Sequence, residues 1–260
     1  MELYDRRAVL AFGALSVLAP APAAARAPVH TLRVGDGLER FGWLRPGVRT
    51  YLRSRQNGDQ HIATDIWRRE TRVETIDGIE RLRIVQRWDG ADQPSVLAER
   101  DSVFEIGTFR PLTHIRTTTR PEGRRIEAFR FTGSEVRGLE GVAGNDRAGF
   151  SQPSEEPVYN FETDLEMLQT LPLAAGYAVS IPFYHPGGGP PARYLWKVAS
   201  EEQLRGGDGR AIDCWVVETD YNAPERAPSR FWLAKSTQQV IKVRATDAQG
   251  VIHRKTLLTA

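Results

Sequence analysis

The pair Asn57-Gly58 stands between two runs of alternating residues. Before it, Val48, Thr50 and Leu52 interleave with Arg49, Tyr51 and Arg53. After it, His61–Val73 carries Ile62, Thr64 and Ile66 on one side and Trp67 on the other. A period of two belongs to a strand, and Asn-Gly accepts the positive φ of a tight turn. The chain is therefore expected to double back here as an antiparallel hairpin.

The same grammar recurs. Asp77-Gly78 leads into Ile79–Trp88, where Leu82, Ile84 and Trp88 share one side and Arg81, Arg83 and Arg87 the other. Ser95–Ile106 sets Val96, Ala98, Ser102, Phe104 and Ile106 against Leu97, Glu99, Asp101 and Glu105. Leu112–Thr119 and Arg124–Phe131 flank Arg120-Pro121-Glu122-Gly123, and Glu135–Leu139 follows. Turns at such short spacing predict a meander of hairpins, hence a large antiparallel sheet or partly closed barrel.

Glu140–Pro157, with five glycines or prolines, reads as a loop. The one helix comes next. Thr163 suits the N-cap, Glu166 completes a capping box, and Asp164 favours the positive end of the helix dipole. Leu165, Leu168 and Leu171 form a stripe with Met167 nearby, and Pro172 and Gly176 stop the helix. Strands resume at Tyr177–Tyr184 and Arg193–Ala199. Within Asp208–Thr246 come Ile212–Thr219, Arg230–Lys235 and Val240–Ala245, and Val251–Leu258 closes the set. Ile212, Cys214 and Val216 alternate with Trp215 and Val217, so both faces of that strand are expected to be covered. The fold class expected is mainly β: a large curved antiparallel sheet, a half-barrel of hairpins, with one short helix packed on the concave face.

The first 25 residues read as an address, leaving 26–260 as a single β-rich domain. Arg6-Arg7 precedes the 12 apolar or small residues Ala8–Ala19, and Pro20–Ala27 is a small-residue tail. That is the layout of an export signal, cut after Ala25. An apolar stretch of this length falls short of the ~20 residues a membrane helix needs, so no stable transmembrane anchor is expected. The paired arginines resemble a twin-arginine signal. The expected location is the periplasm.

Charge and motifs exclude several chemistries. Net charge is +2, and of 35 basic residues only Lys197, Lys235, Lys242 and Lys255 are lysine. The arginines are spread among acids with no dense basic run, so no nucleic-acid partner is expected. The single cysteine, Cys214, has no partner for an internal disulfide and reads as a small buried hydrophobe. There is no P-loop, no G-x-S-x-G elbow and no H-E-x-x-H, and the five histidines are scattered. The reading is therefore no catalytic residue, no metal and no cofactor. A curved sheet leaves a concave face suited to a ligand. Trp67, Trp88, Phe104, Phe129, Leu165 and Leu168 are the candidate ligand-binding residues.

The strand-end motifs carry a resemblance. Asp101-Ser-Val-Phe104, Phe109-Arg-Pro111, Tyr159-Asn-Phe161, Ile181-Pro-Phe-Tyr184, Phe231-Trp-Leu-Ala-Lys235 and Val240-Ile-Lys242 together resemble a bacterial family of exported β-rich proteins, a domain of unknown function. The family's expected shape is similar to the half-barrel of periplasmic lipoprotein carriers, in which a curved sheet encloses acyl chains. The resemblance supplies no catalytic residue. The function expected is non-enzymatic binding of an apolar or amphipathic ligand, a lipid or an acylated protein, on the concave face. The alternatives are an envelope scaffold that binds a protein partner, or a hydrolase whose site is not visible in the sequence.

Overall fold

The computed structural model describes residues 28–90 and 97–259. The expected export signal and the start of the expected strand Ser95–Ile106 lie outside the described residues. Within them the chain forms one curved, open sheet of sixteen strands and a single short α-helix.

The first half is the expected meander. β1 (Val29–Thr31) is followed by β2 (Gly47–Asn57), β3 (Gln60–Ile76), β4 (Ile79–Gly90), β5 (Leu97–Glu105), β6 (Pro111–Arg120), β7 (Gly123–Phe131) and β8 (Glu135–Gly138). From β2 to β8 each strand pairs antiparallel with the next. The turn at Asp77-Gly78 has both residues at positive φ, 51° and 77°. That is the twist a two-residue hairpin requires. The first hairpin turns one residue later than expected. Asn57 pairs with Gln60, and Gly58, at φ 54°, takes the left-handed position. Glycine bears that conformation at no steric cost, which leaves Asn57 free to extend the strand.

The stretch read as a loop contains β9 (Ser151–Pro153), which pairs with β8. Three residues are too few to display a period, and a terminal proline is tolerated at a sheet edge. Two more short strands escaped the sequence pattern. β1 and β10 (Tyr159–Asn160) both run parallel to β11 (Ala178–Tyr184). The second half continues with β12 (Ala192–Arg205), β13 (Ala211–Thr219), β14 (Ser229–Ala234), β15 (Val240–Thr246) and β16 (Ile252–Thr259). β12 runs six residues past its expected end, through a register shift between Val198 and Ser200. β16 lies between β15 and β2 and so joins the two halves into one sheet.

The helix, α1 (Asp164–Gln169), is preceded by a 3-10 turn at Phe161–Thr163. All six residues of α1 are buried, polar ones included. Leu165, Met167 and Leu168 join one core cluster with Tyr51, Trp67, Ile84 and Phe104 from the first half and Trp196, Val217, Phe231 and Val243 from the second. The helix thus fills the concave face. Each of these apolar side chains contributes roughly 1.5–3 kcal/mol by leaving water. The capping box does not form. Thr163 occupies the N-cap without a side-chain bond to the helix, and its hydroxyl donates to the Asn160 carbonyl. Glu166 is drawn away to an arginine on the sheet, described below. The expected dipole role of Asp164 is met locally, since its Oδ1 accepts from the Leu165 N–H at 2.9 Å. On the convex face Cys214, Val216 and Trp232 make a separate small cluster, so both faces of β13 are covered as expected.

Candidate ligand-binding cleft

Cross-strand register arranges the concave face in rows. One row is polar across six strands: Arg49, Arg69, Gln86, Arg100, Arg116 and Glu127. The buried segment Phe161–Gln169 docks on it. Arg69 donates from Nε to Glu166 Oε1 at 2.7 Å and from Nη2 to Glu166 Oε2, a fork-to-fork pair. Arg69 and Gln86 also donate to the Glu162 carbonyl, at 3.3 and 2.8 Å. The Glu162 carboxylate accepts from Arg100 Nε at 2.7 Å and Arg116 Nη1 at 3.2 Å. Burial works against its charged form, but His114, Arg100 and Arg116 prevail and hold the carboxyl well below the usual carboxylate range.

The next row is aromatic. Tyr51, Trp67 and Trp88 are successive cross-strand neighbours on β2, β3 and β4. The two indoles stack at 5.3 Å with an interplanar angle of 16°. Cations cover them. Arg69 lies 4.3 Å from the Trp67 ring centre, Lys255 4.7 Å, and Arg53 5.5 Å from Trp67 and 5.6 Å from Trp88. Arg100 lies 5.1 Å from Trp88. Beyond this row come Lys255, Arg53 and Asp65, neighbours on β16, β2 and β3.

Between these rows and the start of α1 opens a cavity of about 290 Å³. Trp67, Trp88 and Phe161 give it apolar wall; Arg53, Arg100, Lys255, Glu162, Asp164 and His185 give it charge and polarity. Phe161 lies against His185 with ring centres 3.8 Å apart. Loss of hydration pushes the Lys255 ammonium down to about 8 and also lowers Arg53. Burial raises the Asp164 carboxyl, against the pull of Lys255 and Arg69. Burial likewise lowers His185, against Glu162. A larger groove of about 470 Å³ runs past Pro153, Pro182, Pro190 and Pro191. Its one cation, Arg193, is already paired with Glu156, so no cation there is left for an anionic ligand.

Of the six residues expected to bind ligand, Trp67 and Trp88 stand in the cleft wall. Phe104, Leu165 and Leu168 lie fully buried in the main core, and Phe129 in a second cluster with Phe131 and Tyr184. None of these four lines the cleft. Sequence reasoning missed Arg53, Arg100, Glu162, Asp164 and Lys255 as cleft residues. The available signal was parity: Arg100 falls between Ala98 and Ser102, and Gln86 between Ile84 and Trp88, on the core side of their strands.

A buried chain of polar groups runs beside the cleft. Asn160 Nδ2 donates to His114 Nδ1 at 3.1 Å, while Asn160 Oδ1 accepts from the Glu162 N–H, which fixes the amide's orientation. Ser102 Oγ sits 2.8 Å from the same ring nitrogen, and His114 Nε2 faces Glu162 Oε2 at 3.4 Å. The residue types match a hydrolytic triad, but Ser102 and His114 have no exposed surface and neither lines the cleft. A nucleophile needs contact with its substrate, and this hydroxyl has none. Among the described residues no group of three or more His, Cys, Asp and Glu side chains is arranged to hold a metal ion. Among them, too, no helix is long and apolar enough to cross a membrane.

The architecture defines a mainly β protein of the single-curved-sheet class, with a buried helix in its concavity and a cation-and-tryptophan cleft beside that helix. The chain belongs to the DUF3108 family of proteins of unknown function, the match spanning residues 50–257. This agrees with the resemblance read from its strand-end motifs. No curated protein matches it. Among solved structures it is similar to a DUF1329 family protein from Desulfovibrio piger, at 12% identity over 84% of this chain and 87% of that one, with a TM-score of 0.35. It is also similar to a structure described as an outer membrane lipoprotein-sorting protein domain from Vibrio parahaemolyticus, at 12% identity over 86% and 90%, with a TM-score of 0.33.

Proposed function

We propose that this chain is a non-enzymatic binding protein of the bacterial periplasm that holds one end of an amphipathic ligand, a lipid or an acylated protein, in the concave-face cleft. The observation that carries this reading is the cleft wall itself, where the Trp67–Trp88 stack adjoins the charged groups of Arg53 and Lys255. An apolar wall next to fixed charge suits a molecule that has both. The volume of about 290 Å³ fits a head group with the first part of a chain. The rest of the concave face is packed with core, so a longer chain would leave the cleft along the surface. Export rests on the N-terminal pattern of Arg6-Arg7 followed by Ala8–Ala19.

The test is native mass spectrometry of mature protein purified from periplasm without detergent, repeated in denaturant. A bound mass released as an amphiphile supports the reading. A ligand-free mass, with no uptake of added lipids or fatty acids, refutes it. The scaffold reading has one observation in its favour. Leu52 and Ile66, cross-strand neighbours on the convex face, are 37% and 38% exposed. Crosslinking in cells that captures one partner through this pair would move weight to it.

A further inference from the structure

We infer that the cleft is an oxyanion receptor, in which Arg53 and Lys255 together hold the phosphate or carboxylate head of the ligand. This rests on the binding reading above and specifies its chemistry.

Arg53 and Lys255 are direct cross-strand neighbours, and like charges in that relation destabilise a sheet. Both are also half-buried and have lost part of their hydration. A fold normally answers such a cost with a carboxylate. Arg69 has Glu166, and Arg100 and Arg116 have Glu162. Among the described residues neither Arg53 nor Lys255 has a hydrogen bond or an ion pair within 4 Å; each lies against a tryptophan face. Asp65 across from Arg53 and Asp164 on α1 temper the local field without closing an ion pair on either cation. Two neighbouring cations without a counter-ion, both on the wall of one cavity, form a set that lacks an acceptor of negative charge.

Three dodecyl amphiphiles below their micellar concentrations test this by calorimetry and tryptophan fluorescence: dodecyl phosphate, neutral dodecyl maltoside and cationic dodecyltrimethylammonium. Inorganic phosphate is titrated separately. The expected order is dodecyl phosphate tighter than dodecyl maltoside by about tenfold or more, the size of one charge-assisted hydrogen bond, with the cation weakest. The double variant Arg53→Met, Lys255→Met, checked for folding by its thermal transition, loses that preference, so its ratio of phosphate to maltoside affinity falls to about one. Equal affinity for the phosphate and the maltoside overturns the inference and leaves the amphiphile reading standing. Inorganic phosphate binding as tightly as dodecyl phosphate, with no maltoside uptake, supports the anion site and overturns the amphiphile reading. Preserved anion preference in the folded double variant, or no uptake of any probe, overturns the inference.

Discussion

Replacing Lys255 with methionine should stabilise the protein. The ammonium lies against Trp67 beside Arg53, with no carboxylate within salt-bridge reach among the described residues. Folding moves it from about 10.5 to about 8 through lost hydration. At roughly 1.36 kcal/mol per unit the upper bound on the cost is about 3.4 kcal/mol. The side chain keeps part of its surface in water, which screens the charge and leaves about 1–3 kcal/mol. Methionine retains the stem that packs on the indole and removes the charge. For a chain of this size the gain corresponds to a rise in melting temperature of about 2–10 °C at pH 7. The gain has a pH signature. Between pH 8 and 10.5 the unfolded chain holds the Lys255 proton and the folded chain has lost it, so wild-type stability climbs with pH relative to the variant. The methionine advantage is full below pH 8 and gone near 10.5. Buried tyrosines titrate in both proteins and cancel in the difference. Urea unfolding of the pair from pH 7 to 10.5 is the assay. A destabilised variant at pH 7, or an advantage that does not change with pH, refutes the reasoning.

Three further outcomes follow from buried geometry and from the N-terminal pattern. Glu166→Gln strands the Arg69 guanidinium, 1% exposed, and should cost about 3–5 kcal/mol in urea unfolding, while the double Arg69→Met, Glu166→Met costs less than the sum of its single changes. Gly138→Ala drives a methyl to 2.0 Å from the Arg147 carbonyl oxygen and 2.5 Å from that of Ala148, so the backbone must shift; a loss of about 1–3 kcal/mol is expected, and an unchanged melting temperature would count against the packing described. Arg6-Arg7→Lys-Lys should stop precursor processing in an export assay if the twin-arginine route is used, whereas unchanged processing points to the general secretory route.

Strand positions were legible because alternation is local. Leu82, Ile84 and Trp88 declared their side without help from the rest of the chain. The same alternation placed Gln86 and Arg100 on that side, but a charged or amide group reads as solvent-facing until a buried partner is known. Their partner is Glu162, on the 3-10 turn between β10 and α1. Thr163 and Glu166 satisfied the local rule for a cap and were overridden by Arg69, because a buried guanidinium without a carboxylate costs more than a lost cap. Trp67 and Trp88 were legible as large aromatics in strands. Lys255 beside Arg53 was not, because their adjacency exists only through the pairing of β16 with β2. A mild net charge and scattered arginines conceal two cations brought together by topology.

That pairing gives the molecule a test of its own completeness. β2 emerges early, pairs with β3, and then presents an open edge until residues 252–259 arrive. Until then the two halves are separate sheets, each with an unguarded row of backbone donors and acceptors. Arg53 waits on one half and Lys255 on the other. A chain cut before Ile252 would leave that edge open and, on the proposal above, would lack half of its anion grip, so closure of the sheet and the proposed binding share one seam. Any delay in the arrival of β16 lengthens that exposed interval, and the edge of β2 is where a misplaced strand would add.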